Sequence, residues 1–239
     1  MKVSSCPKTP ILLLASFLVL PITVTAQWQK KPYSKWSEKE ALSVLNDSPW
    51  GQTQTVTETS RMFDTGRRVD SSQNREAEIP QIKFRIRFFS AKPIRQAISR
   101  IIELKQKGEL NPQLAGQLRA LAAGEFPDYI VITVVTEVAD SGSLTASAAS
   151  LLDRQTTALL KNETYLLVNG GQRVFLQEYQ APRKDGLGAR FIFPRMVNGK
   201  PFILPESGEV LFNADLSGGP ALKMRFKIKD MMFEEKLEY

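Results

Sequence analysis

Histidine is absent from this 239-residue chain, and cysteine occurs once, at Cys6. Without imidazole there can be no Ser–His–Asp triad, no Cys–His dyad and no histidine general base. Zinc centres draw mainly on Cys and His, so that route is closed as well. A lone Cys cannot form an internal disulfide, a redox dithiol or a covalent haem attachment. Two other hydrolase signatures are missing: no Ser beyond residue 26 has Lys three positions on, and no G-x-S-x-G elbow occurs. Long apolar runs are also scarce. Beyond Trp28 the most apolar stretch, Tyr129 to Val135, is seven residues, well short of the roughly 17–25 needed to span a bilayer.

What is present begins with an address. Lys2 and Lys8 form a positive n-region, Ile11 to Leu20 an apolar h-region, Pro21 a helix break, and Val24-Thr25-Ala26 a small-residue site before Gln27. This three-part pattern is that of a secretory signal peptide over residues 1–26. Cys6 precedes the h-region, so no lipid-attachment site is expected. The same sequence holds an uncharged stretch from Ile11 to Trp28, near the length of a membrane anchor. Pro21, Thr23 and Thr25 favour the cleaved signal. The expected destination is the periplasm or the medium. Lys plus Arg number 32 against 25 Asp plus Glu, a formal charge of +7.

Residues 27–78 read as a basic, aromatic segment followed by a short helix, a strand and a mobile loop. Ser37 and Glu40 have the spacing of a capping box, so a helix is expected from there to about Asn46, ended by Asp47-Ser48-Pro49. Thr53 to Met62 alternates as a strand, and residues 64–78 are polar and charged. Residues 79–239 read as the globular body. Gln81 to Phe88 alternates without a fault, with Ile82, Phe84, Ile86 and Phe88 on one face and Lys83, Arg85 and Arg87 on the other. Pro93 opens a helix whose stripe is Ile94, Ala97, Ile98, Ile101 and Ile102, with Arg95, Arg100 and Lys105 outside it. Asn111-Pro112 opens a second helix, to Gly124. Asp128 to Val138 reads as a central strand buried on both faces. A helix is expected within Ser141 to Leu160. Short strands then follow as hairpins, Tyr165 to Val168 and Arg173 to Tyr179 around Asn169-Gly170-Gly171-Gln172, and Arg190 to Val197 and Phe202 to Leu204 around Asn198-Gly199. Glu209 to Phe212 and Leu222 to Lys229 complete the set. The predicted fold class is α+β: a mainly antiparallel sheet with an αα unit and a further helix packed on it, and a strand-rich C-terminal third.

Lys35-Trp36-Ser37-Glu38-Lys39-Glu40 running on to Asp47-Ser48-Pro49-Trp50 resembles a segment of a family of uncharacterised exported bacterial proteins. Asp185-Gly186-Leu187-Gly188-Ala189, Phe193-Pro194-Arg195, Lys229-Asp230-Met231 and Lys236-Leu237-Glu238-Tyr239 are similar to the same group. The resemblance covers residues 32–50 and 164–239. It implies export and a shared fold, and no activity.

Three readings of function follow. The first is a non-catalytic binding or structural module of the cell envelope. Its candidate ligand face is basic: Lys83, Arg85 and Arg87 from one strand, and Lys223, Arg225, Lys227 and Lys229 from another, which would cover one sheet face if the strands were neighbours. A solvated face that happens to be basic stands beside it. The second is a hydrolase using two carboxylates on a glycan, with Asp128, Glu137, Asp185, Glu206 and Glu209 available. The third is a peripheral membrane protein held by its basic, aromatic start, in which Trp28, Trp36 and Trp50 dock on a surface or a partner. The alternative for these tryptophans is the core, with Trp36 and Trp50 clamping the short helix and Trp28 in a loose tail. Gly186-Leu187-Gly188 precedes a strand rather than opening a helix, so a turn is expected there and not a phosphate loop. Enzyme status stays open, leaning against catalysis. No cofactor or metal is expected. The partner is an envelope protein, an anionic polymer or a lipid surface, and nucleic acid fits poorly outside the cytoplasm.

Overall fold

Strict alternation in Gln81–Phe88 puts Phe84, Ile86 and Phe88 on one side of a strand, and all three are buried. That row starts the core. The computed structural model describes residues 27–57, 81–106, 108–138 and 150–239. Strands β1 (Gly51–Thr57), β2 (Gln81–Phe88), β3 (Tyr129–Val138), β6 (Glu178–Gln180) and β7 (Ala189–Pro194) form a five-stranded antiparallel sheet in the order β1-β2-β3-β7-β6. Strands β4 (Tyr165–Val168), β5 (Arg173–Phe175), β10 (Glu209–Asp215) and β11 (Ala221–Lys227) form a four-stranded one in the order β11-β10-β4-β5.

The two sheets meet through their apolar faces. Phe88 packs edge-on against Phe226 at 4.8 Å, and Phe191 against Phe212 at 5.4 Å between ring centroids. Such pairs contribute about 1 kcal/mol each beyond their buried area. At the open side, Gln52 and Gln54 of β1 reach across to β11. Gln52 donates to the Arg225 carbonyl at 3.2 Å. Gln54 donates to the Ala221 carbonyl at 3.0 Å and accepts from the Lys223 N–H at 2.8 Å. Glutamine amides thus occupy edge groups of β11 that would otherwise invite a foreign strand.

Helices α1 (Glu38–Asn46), α2 (Lys92–Lys105) and α3 (Pro112–Ala123) close the end of the sandwich where β1 starts and β2 stops. The Ser37 hydroxyl accepts from the Glu40 N–H, and the Glu40 carboxylate accepts from the Ser37 N–H at 2.8 Å, the expected capping box. An ion pair with Lys31 and the Ser37 bonds hold the Glu40 carboxyl down at about 2. Its folded pKa lies below the ordinary value, so this contribution to stability is complete above about pH 4.5 and is lost as pH falls toward about 2. Carboxyl NMR is expected to give Glu40 a midpoint near 2, rising toward the ordinary value in Lys31→Ala. An unmoved midpoint would remove the ion pair as its cause.

The second expected cap also forms, with the Asn111 side chain accepting from the Gln113 N–H at 2.9 Å. α2 and α3 are the expected αα unit. β3 is the central strand, but its burial on both faces extends only through the first half, to Thr133 and Val134. The helix expected within 141–160 is described from Ser150 on, where α4 (Thr157–Leu160) is one short piece. Residues 58–80 and 139–149, including the expected loop and the end of the first strand, lie outside the described residues, as does the expected signal.

Two expected strands break. Arg173 to Tyr179 was expected to be continuous. Instead, Leu176 donates to the Thr164 carbonyl and Gln177 to the Ile192 carbonyl, each at 2.9 Å. The chain therefore leaves the four-stranded sheet after β5 and enters the five-stranded one as β6. Arg190 to Val197 similarly divides at Arg195 into β7 and β8 (Met196–Val197), and β8 pairs as a hairpin with β9 (Lys200–Pro201) rather than with the expected strand Phe202 to Leu204, which is irregular. Asn198 and Gly199 turn that hairpin at φ of 52° and 75°, the left-handed pair an Asn-Gly turn supplies. Residues 27–57 share one hydrophobic core with the remainder of the described chain.

Candidate functional site

The three tryptophans are packed inside. Trp28, Trp36 and Trp50 are 6%, 1% and 0% exposed. Trp28 meets Trp36 edge-on at 5.2 Å and stacks on Phe233 at 6.2 Å. The Trp36 indole donates to the Trp28 carbonyl at 2.9 Å, and the Trp50 indole to the Glu238 carbonyl at 2.8 Å. As surfaces for docking they are corrected: ring area already used in the core cannot meet a partner. Trp28 is also no loose tail.

The expected basic face divides in two. Lys83, Arg85 and Arg87 lie on the outer face of the five-stranded sheet, and Lys223, Arg225 and Lys227 on the outer face of the other. The sheets pack by their inner faces, Phe88 against Phe226, so the two rows point away from each other. Lys229 belongs to neither strand; it sits in a 3-10 turn, Ile228–Asp230. In the first row Arg85 and Arg87 are internally engaged. Arg85 pairs with Glu137 across β3. Arg87 donates to the Leu45 carbonyl at 3.1 Å and to Asn46 Oδ1 at 2.7 Å, tying β2 to the end of α1. Burial, then the neighbouring Arg85, lowers Arg87 to about 10, which still leaves it charged at neutral pH.

The second row is different. Lys223, Arg225 and Lys227 are exposed, and the contact of Arg225 with Glu209 is loose at 3.8 Å. Register places further residues on that same outer face. One cross-strand line runs Phe175, Tyr165, Asn213, Lys223; the next runs Arg173, Leu167, Leu211, Arg225. Phe175 is 48% exposed, while Tyr165, Leu167 and Leu211 are half-buried. The Arg173 guanidinium covers the Tyr165 ring at 4.7 Å, and Phe175 meets that ring edge-on at 5.9 Å. The face thus has an apolar centre with cations at both sides. The carboxylates that its strands carry are Glu209, opposite Lys227, and Asp215, opposite Ala221. Sequence reading found the cations of β11 through their alternation. It missed Arg173, Tyr165 and Phe175, because strands of three and four residues offer little periodicity to read.

Arg225 and Lys227 also line an open cleft of about 640 Å³ against Asn46, Asp47, Gln52 and Asp230, where α1 ends and β1 begins. A second cleft, about 270 Å³, lies between the start of α2 and the hairpin of β12 (Met232–Phe233) and β13 (Lys236–Leu237). Glu234 and Glu235 turn that hairpin at positive φ, 49° and 63°, and Lys92 holds Glu234 in an ion pair. The Glu238 carboxylate accepts from the Lys92 N–H at 2.9 Å, at the first turn of α2. Arg95 lines the same cleft. The sequence placed it outside the helix stripe; it is 2% exposed, with its pKa lowered first by burial. It donates to the carbonyls of Phe89 at 3.3 Å, Leu121 at 3.2 Å, Ser90 and Gly124.

Of the five carboxylates considered for catalysis, Glu137 pairs with Arg85, Asp185 with Arg190 and Glu209 with Arg225. None of the five lines either of these clefts. Gly186 and Gly188 have positive φ in the loop before β7, and a side chain at Gly188 would strike the Val134 carbonyl, so this is a turn made by close approach. Among the described residues no cluster of three or more Cys, His, Asp or Glu could hold a metal, and no helix is long and apolar enough to cross a membrane. No protein-family model, curated protein or solved structure matches this chain, so the arrangement of its own residues carries the functional argument.

Proposed function

We propose that the protein is a non-catalytic binding module, exported to the cell envelope, whose binding surface is the outer face of the four-stranded sheet and whose partner is anionic. One observation carries this reading: Arg173, Lys223, Arg225 and Lys227 stand exposed around a half-buried apolar centre, on strands that bring two carboxylates, Glu209 and Asp215, to the same face. Exposed cations of this kind steer and hold acidic partners, with an interaction that salt screens over about 8 Å at physiological ionic strength. The N-terminal signal pattern supports the exported setting.

Fluorescence anisotropy with labelled poly-L-glutamate tests it. Binding is expected to weaken as salt rises and to fall by about tenfold in Arg225→Glu, the result of reversing one close charge at an exposed site. Arg85→Gln, on the opposite outer face, is expected to leave binding unchanged. Equal affinity in Arg225→Glu and the parent protein would overturn the proposal.

A further inference from the structure

We infer that the partner of this face is an acidic polypeptide segment carrying aromatic or aliphatic side chains, rather than a glycan or a lipid surface; the inference rests on the binding reading above. Three features select this occupant.

The first is charge. A second copy of this chain would set Arg173, Lys223, Arg225 and Lys227 against their own counterparts, and like charges brought together oppose association. An acidic occupant is complementary to the same four side chains.

The second is the state of the rings. A sugar-binding platform needs an open aromatic face on which a pyranose can lie. Here Tyr165 has a guanidinium over its ring at 4.7 Å, and the Phe175 ring stands at 65° to it. One ring is thus covered by a cation, and the two do not share a plane. Rings so placed, with Leu167 and Leu211 beside them, fit branched and aromatic side chains.

The third is layout. Protein interfaces place an apolar patch at the centre, with Tyr, Phe and Arg enriched, and a polar rim outside it. Leu167 and Leu211 are directly opposite each other at the centre of this sheet, flanked along the same line by Arg173 on β5 and Arg225 on β11. An acidic segment lying across the strands would set apolar side chains on the leucines and Phe175. Its carboxylates would reach Arg173 on one side and Lys223, Arg225 and Lys227 on the other.

Three probes of similar charge density separate the outcomes: a random copolymer of glutamate and tyrosine, poly-L-glutamate, and polygalacturonate. Vesicles of phosphatidylglycerol form a fourth arm. The copolymer is expected to bind at least about tenfold more tightly than the other two polymers, since one well-placed aromatic anchor contributes on the order of 1.4 kcal/mol, a factor of ten. Phe175→Ala should remove that preference while leaving poly-L-glutamate binding as it was. Phe175 is half exposed, so this substitution leaves the core intact.

Equal binding of all three polymers, with no effect of Phe175→Ala, would overturn the inference while leaving an anion-binding face. Tighter binding of polygalacturonate or of the vesicles than of the copolymer would also overturn it. Binding to none of the probes, or binding indifferent to Arg225→Glu, would remove the underlying reading as well.

Discussion

Trp50→Ala is expected to lower the free energy of unfolding by about 4 kcal/mol, within the range for removing a large buried aromatic. Trp50 has no exposed surface, meets Trp28 at 6.1 Å and Phe233 at 6.2 Å, and donates to the Glu238 carbonyl at 2.8 Å. One side chain thus joins the segment before β1, the last hairpin and the C-terminal residues. Truncation leaves a cavity at this junction and an unmet carbonyl. Collapse is hindered because the next residue, Gly51, already lies against α1: a side chain there would strike the Leu45 carbonyl. Trp50→Phe separates the two losses. It keeps most of the packing and gives up the hydrogen bond, so a loss of about 1–2 kcal/mol is expected. Urea denaturation followed by far-ultraviolet circular dichroism reads both variants. A loss below about 1 kcal/mol for Trp50→Ala, well under the usual cost of such a truncation, would mean that the tryptophan cluster does not hold this end together.

Arg95→Ala is expected to cost about 3 kcal/mol, from bonds between a charged donor and backbone acceptors that are each worth about 1.5–3 before water repairs some of them. The guanidinium holds carbonyls from the β2–α2 turn and from the end of α3, and its face lies 5.2 Å from the Phe126 ring. The Leu121 carbonyl, in the last turn of α3, is among those a helix end leaves without internal partners, and Gly124 directly follows that helix. Arg95 therefore serves as a remote C-cap for α3 and as the bolt that fixes it to α2. The cleft beside it admits water, which keeps the estimate below the full sum. Arg95→Lys retains the charge without the planar fork and should recover less than half of the loss, as expected where several fixed directions must be met at once. The same denaturation experiment decides the matter. Full recovery by Lys would show that charge alone matters at this position.

Arg95 also marks a limit of periodicity. A helix wheel identifies the most apolar stripe, and Ile94, Ala97 and Ile98 are indeed buried. It cannot report that a second helix, a turn and a hairpin all close over the first half of α2 and bury Arg95, Gln96 and Ser99 as well. The tryptophans show the converse. Their place in a basic, aromatic start predicts a docking surface, yet an aromatic side chain is indifferent to its charged sequence neighbours once a core can accept it. In the basic rows, alternation correctly separated Lys223, Arg225 and Lys227 from Leu222, Phe226 and their neighbours. Nothing in alternation says which sheet a strand joins.

By itself, then, the sequence determined what local forces control. The capping box at Ser37 and Glu40, the Asn111 cap, the Asn198-Gly199 turn, the alternating strands and the α+β class with its αα unit depend on contacts within a few residues. The absence of His, and of any Cys after Cys6, closed whole classes of chemistry in the same way. Only the tertiary structure decided that the chain passes from one sheet to the other at Leu176-Gln177, that the basic strands lie back to back in separate sheets, and that Arg173, Tyr165 and Phe175 join the row on β11. These depend on which distant apolar faces find each other. Many pairings of amphipathic strands bury similar area, and the one adopted is chosen by the packing of Phe88 on Phe226 and Phe191 on Phe212 across the whole core.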